Sequence, residues 1–159
     1  MAQFFTGLRG DDPGRAADIE LYLKYLDDLW ALDLPSENFD GRAAVLEGFP
    51  ELVPSEEGLT DDADIDAFSA VLCMRYAVLF RATGDAQQAV QCAHASLTSM
   101  ALADQNIPGS DLLGAEHEFQ RRAISSGHDE GALAQLREHD RARGLERLLA
   151  VHGARGGIE

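Results

Sequence analysis

Lysine is almost missing from this chain. It occurs once, as Lys24, against twelve arginines, a coding bias of GC-rich bacterial genomes that is an association and not a physical argument. Cysteine is nearly as scarce. Cys73 and Cys92 are too few and too far apart for a zinc cage or a C-x-x-C redox motif. Two thiols without a disulfide framework read as a cytoplasmic protein. No apolar run approaches the roughly 20 residues that a membrane span needs. The opening MAQFFTGLRGDDPG has no basic head, no long apolar middle and no small-residue cleavage site, so no signal peptide is expected. Alternating apolar and polar stretches are short, so no strand is predicted.

Catalytic signatures are missing as well. There is no G-x-S-x-G, no G-x-x-x-x-G-K-[ST], no H-E-x-x-H and no E-x-x-H of di-iron bundles. The glycines of HGARGGIE precede no helix that could cradle an anion. Cys92 and His94 are two apart and do not face each other on a helix. Tyr22, Tyr25 and Trp30 stand at helical spacing and read as core.

What is present is negative charge. Of 159 residues, 28 are acidic and 13 basic, a net of −15. Residues 1–64 hold sixteen acids against four bases, residues 65–103 balance, and residues 104–159 hold ten acids against seven bases. Such a field repels phosphate backbones and anionic lipid, which argues against nucleic-acid and membrane partners. It attracts cationic proteins and speeds their encounter at low salt.

The rest of the pattern is helical. The hydrophobic fraction, 45%, suits a globular core. AADIELYLKYLDDLWAL has one broad apolar arc from Ile19 to Leu32, opposite Glu20, Lys24, Asp27 and Asp28. Pro35 ends it. Residues 35–63 are broken by prolines and glycines, with a short helix in FDGRAAVLEGF capped by Asp40. Phe39, Val45, Leu46, Phe49, Leu52 and Val53 are too apolar for a plain linker, so the segment reads either as a packed crossover or as a partner-binding stretch. TDDADIDAFSAVLCMRYAVLFRA is the second long helix, capped by Thr60, Asp61 or Asp62. It is apolar nearly all round and should be the central one. Gly84 ends it, and Asp85 caps the third helix, with inner face Ala86, Ala89, Val90, Ala93, Leu97 and Met100. Ser110 or Asp111 opens the fourth, LLGAEHEFQRRAIS. The fifth is ALAQLREHDRARGLERLLAVHG, and residues 153–159 form a frayed tail. The expected fold is all-α: a single-domain bundle of about five helices over residues 1–159, with a long irregular acidic segment between the first and second long helices.

RATGDAQQAVQCAHASL resembles the turn and second helix of a tetratricopeptide repeat. Gly84, Asp85 and Ala89 stand at the small-residue turn positions, and Ala77 where the first helix wants a small side chain. Fainter traces are Gly127 with Ala132, and Gly10 with Ala16, one residue out of step. The resemblance covers about residues 65–102. No proline follows the second helix, and Ser96 replaces a usual alanine. What the resemblance implies is a scaffold that binds peptides or proteins without chemistry.

One local inconsistency points to a site. Glu116 and Gln120 project from the apolar face of the fourth helix, and Arg75 sits among Phe68, Val71, Leu72 and Leu79 of the second. A buried carboxylate needs a cation or a proton. A polar network is therefore expected, with a direct Arg75–Glu116 pair. His94, near the inner face of the third helix, could join it, and a three-ligand metal site from His94, Glu116 and His117 is conceivable, although no metal is expected. The same pattern fits a structural ion pair that fixes helix register.

The expected function is a non-enzymatic, cofactor-free helical module that binds a basic protein: an adaptor, a regulatory subunit, or an inhibitor or immunity-type protein. Its partner-binding residues would be Asp27, Asp28, Glu47, Glu56, Glu57, Asp61 and Asp62. The alternative is a small helical enzyme or ligand-binding protein with a pocket around Arg75, His94 and Glu116. A third reading is mimicry of nucleic acid by the acidic face. The aromatic-rich first long helix also allows a homodimer.

Overall fold

A computed structural model describes residues 1–53, 62–126 and 129–156. Among these the regular structure is entirely helical, as expected, but with seven α-helices rather than about five. They are α1 (Ala2–Arg9), α2 (Ala16–Trp30), α3 (Arg42–Glu47), α4 (Asp62–Thr83), α5 (Ala86–Asn106), α6 (Leu112–Ser125) and α7 (Glu130–Gly156). The five long helices of the sequence are α2 and α4 to α7. Helix α1 went unforeseen because eight residues containing a glycine carry little periodicity. What holds it is the burial of Phe4 and Phe5. Helix α3 lies where a short helix was expected, yet Asp40 is not its cap. Gly41 takes that position with φ 74°, in the left-handed region that glycine tolerates.

A second correction concerns domains. The chain forms two compact units, Met1–Ser96 and Leu97–Glu159, where a single domain was expected. The chain passes from one to the other inside α5, so no proline- or glycine-rich linker marks the boundary.

In the first unit α4 is central, with α1, α2, α3 and a 3-10 helix, Ser36–Phe39, packed around it. Ala67, Ala70, Val71 and Val78 are wholly buried on it. Phe5 stacks on Tyr22 at 4.7 Å and on Phe49 at 5.9 Å. The Tyr22 hydroxyl donates to the Ala70 carbonyl at 3.1 Å, so the phenol is buried without an orphan oxygen. The end of α2 exposes carbonyls that a helix cannot pair itself. Arg81 of α4 donates to those of Leu29, Ala31 and Leu34, at 2.9, 3.1 and 3.0 Å. Its guanidinium also lies 4.5 Å from the Phe39 ring centre. Of the apolar residues expected to pack in the irregular segment, Phe39, Leu46 and Phe49 are buried, whereas Val45 and Val53 are 46% and 49% exposed. Thr60 and Asp61, two of the three expected caps of α4, fall outside the described residues.

Helices α4 and α5 form the expected hairpin. Gly84 turns with φ 68°, and the Asp85 carboxylate accepts from the Gln87 N–H at 2.9 Å. The inner face of α5 is the expected one only in its second half, where Met100 is buried and Ala93 and Leu97 are half-buried. Ala86, Ala89 and Val90 are exposed, Val90 by 58%, while Ser96, Ser99, Met100 and Ala103 are buried. Alanine is small enough for a helix crossing and cheap enough for solvent, so its spacing could not fix the buried side.

In the second unit the α5–α6 turn is tied by Asp104. Its carboxylate accepts from Ser110 Oγ at 2.5 Å, Leu112 N–H at 2.8 Å and Leu113 N–H at 3.0 Å. Burial works against the charge, but these three donors hold the Asp104 carboxyl below the usual aspartate range. Helix α7 continues to Gly156, so residues 153–156 are helical where a frayed tail was expected. Among the described residues no helix is long and apolar enough to cross a membrane.

Candidate functional site

The expected acidic face is partly consumed by the fold. Asp27 is exposed on α2. Asp28 is bound to Arg42 at 2.7 Å, and Arg42 is also held 4.7 Å from the ring centres of both Tyr25 and Phe39. Glu47 is exposed but accepts from Arg75 Nη2 and Nε at 2.6 and 2.8 Å. Glu56, Glu57 and Asp61 lie outside the described residues, as does the side chain of Asp62 at the start of α4.

The expected pocket around Arg75, His94 and Glu116 does not assemble. Arg75 is engaged by Glu47. Glu116 of α6 is buried and paired with Arg147 of α7 at 2.6 Å, each side chain 5% exposed, and Gln120 donates to its second oxygen at 2.8 Å. The expected Arg75–Glu116 pair is thus two separate pairs, one in each unit. Glu116 did need a cation, and a helix 31 residues downstream supplied it. His94 and His117 are both exposed. Among the described residues no group of three His, Cys, Asp or Glu side chains could hold a metal.

The strongest electrostatic cluster was not anticipated. Glu51, with a side chain 1% exposed, accepts from Arg9 Nε at 2.9 Å and from Arg15 Nη1 and Nη2 at 2.8 and 2.6 Å. Arg9 also reaches Asp64 at 2.8 Å, and Arg15 reaches Asp18 at 2.8 Å. Burial opposes ionisation of Glu51. The Arg15 and Arg9 hydrogen bonds, its own backbone N–H and the Arg15 charge outweigh that, and its carboxyl titrates below the usual glutamate value. In the sequence Glu51 has Phe49 and Leu52 nearby, but Pro50 and Val53 beside them are exposed, so the local pattern does not single it out. The cluster anchors the crossover to α1 and to the turn before α2. Both oxygens of Glu51 accept from arginines of the same unit.

Two features remain outward-facing. Asp33, Glu37 and Asp40 follow α2, are exposed, and take part in none of the described ion pairs; Leu32 beside them is 56% exposed. In the second unit an open groove of about 440 Å³ is lined by Arg122, Ser126, Ala132, Gln135, Leu136 and His139. There Arg122 Nη1 lies 3.4 Å from His139 Nε2, and the imidazole stacks on Phe119 at 5.7 Å.

No family model matches the chain, and neither the curated proteins nor the solved structures searched contain a match.

Proposed function

We propose that the chain is a non-catalytic binding module whose first unit takes a basic protein partner. The observation that carries this reading is how the arginines are used. All five arginines of the first unit, Arg9, Arg15, Arg42, Arg75 and Arg81, donate to acceptors inside it. Four of them pair with Glu51, Asp64, Asp18, Asp28 and Glu47, Arg81 donates to backbone carbonyls, and none of the described ion pairs includes Asp33, Glu37 or Asp40. The docking face therefore shifts from the sequence-derived set to Asp27, Asp33, Glu37 and Asp40 around Leu32. Exposed carboxylates close in sequence to an exposed apolar residue suit a cationic surface with a small apolar anchor. The filled centre of the unit, α4 buried against four neighbours, supports surface rather than pocket as the working part.

The test is affinity capture from the native cell, compared with the quadruple variant Asp27→Asn, Asp33→Asn, Glu37→Gln, Asp40→Asn. The expected result is a basic protein retained by the natural chain and lost from the variant. Association with the purified partner should slow about tenfold at low salt. A partner held equally well by both chains overturns the reading.

A second reading, small-ligand binding, moves from Arg75, His94 and Glu116 to the groove of the second unit. Arg122 carries a permanent charge there and lies 3.4 Å from the polar His139 ring, in a groove that Ala132 and Leu136 also line. A small carboxylate is the chemistry they fit. Titration with acetate and benzoate, followed by the His139 imidazole signals, should show saturable shifts that Arg122→Gln abolishes.

A further inference from the structure

We propose that Cys73 and Cys92 form a reversible disulfide across the α4–α5 hairpin, making this crossing an oxidation site for hydroperoxides. These are the chain's two cysteines, and the fold brings them face to face. Both carry thiols. The Cys73 thiol reaches the Cys92 carbonyl at 3.6 Å, and the Cys92 thiol reaches the Cys73 carbonyl at 3.3 Å. A carbonyl oxygen lies about 2.4 Å from its own Cα, so each sulfur is within about 6 Å of the opposite Cα. The contact is reciprocal, so the side chains lie alongside each other and do not point apart. Disulfides bridge Cα atoms about 4.4–6.8 Å apart, a range that these reciprocal contacts are compatible with.

The surroundings favour the same step. Ala70 and Ala77 flank Cys73 on its helix face, and Ala89 and Ser96 flank Cys92, so small residues let the backbones approach. Accessibility separates the roles. Cys92 is half-buried next to the exposed start of α5, whereas Cys73 is 6% exposed. Cys92 therefore meets the oxidant and Cys73 resolves it.

The Cys92 thiolate attacks the outer oxygen of the hydroperoxide. An S–O bond forms, the O–O bond breaks, and the alkoxide takes a proton to leave as alcohol, or as water from hydrogen peroxide. The Cys73 thiolate then attacks the Cys92 sulfenic sulfur. The S–S bond forms, the S–O bond breaks, and hydroxide leaves as water after taking a proton. Two thiols and one hydroperoxide give one disulfide, one alcohol and one water. A dithiol reductant reverses it.

The test treats the dilute full chain with hydrogen peroxide, blocks remaining thiols under denaturing conditions, and maps tryptic peptides by mass spectrometry. The expected product is one linked pair, the peptide with Cys73 joined to that with Cys92 within one chain. It should be lost on reduction and accompanied by a higher melting midpoint. Cys73→Ser should leave Cys92 as a sulfenic acid that dimedone traps, and Cys92→Ser should slow oxidation of Cys73 at least tenfold. The natural chain gives the primary answer, so a variant that folds poorly does not blunt the test, and Cys73→Ala serves as a second variant. The proposal is overturned if Cys92 of the natural chain accumulates sulfenic or sulfinic acid as fast as in Cys73→Ser. It is equally overturned if only chain-to-chain links form, or if both thiols survive peroxide that oxidises the unfolded chain.

Discussion

Glu51→Gln is the most informative single substitution in the first unit. It keeps the shape of the side chain and removes the charge that Arg9 and Arg15 converge on. Three charge-assisted hydrogen bonds end on this carboxylate. Bonds to charged groups contribute about 1.5–3 kcal/mol each in isolation. Three considerations lower the sum. The arginines are partly exposed, 20% and 12%. Arg9 keeps Asp64 and Arg15 keeps Asp18. Bonds sharing one acceptor group are not additive. The expected cost is about 2–4 kcal/mol at pH 7, or a melting midpoint lower by about 8–15 °C for a unit of this size. Urea unfolding followed by the fluorescence of Trp30, the one tryptophan, reports on this unit directly. The pH dependence carries a sign. The folded Glu51 carboxyl titrates below its ordinary value of 4.5. Its contribution is therefore complete above the unfolded pKa and is lost as pH falls through the lower folded one. The gap between natural chain and variant should stay constant from neutral pH down to about 5.5 and close on further acidification. A cost under about 0.5 kcal/mol at pH 7, or a gap that widens in acid, would refute this account of the cluster.

Four further outcomes follow from single contacts. Gly84→Ala should cost about 1–2 kcal/mol by the same denaturation assay, because φ 68° is strained for any residue with a Cβ. Ser99→Ala should be neutral or stabilise by up to about 1 kcal/mol in urea unfolding followed by circular dichroism, since the Ser99 hydroxyl is wholly buried and finds no acceptor among the described residues. Arg147→Leu should cost about 3–5 kcal/mol by removing the cation paired with the buried Glu116 carboxylate, and adding Glu116→Leu should recover most of that loss. Val90→Gln should change stability by less than about 0.5 kcal/mol, since Val90 is 58% exposed; a larger loss would restore it to the inner face of α5.

Helix existence was legible wherever the apolar period ran for three turns or more. That is why α2 and α4 to α7 were foreseen and α1 was not. The central place of α4 was legible too, because a helix apolar on every side must be covered on every side. Which face of α5 is buried was not, since alanines and serines carry almost no preference between core and solvent. The site fared similarly. The need of Glu116 for a cation could be read from its place on an apolar face. Its partner could not, because Arg75 and Arg147 both offered the same guanidinium. Glu51 was hidden among twelve other acids of residues 1–57, where composition gives a net charge but does not say which carboxylate turns inward.

The sequence by itself determined that this protein is helical, strongly acidic, and built around residues 67–78. These follow from local period and from summed charge, which need no knowledge of what lies beside what. Only tertiary structure decided how the arginines pair, that the chain divides within α5, and that Cys73 meets Cys92. Apart from the local Arg15–Asp18 and Arg143–Glu146 pairs, these ion pairs and thiol contacts join residues 14 to 55 positions apart. Such contacts depend on where separate helices cross, and short-range pattern leaves that undetermined.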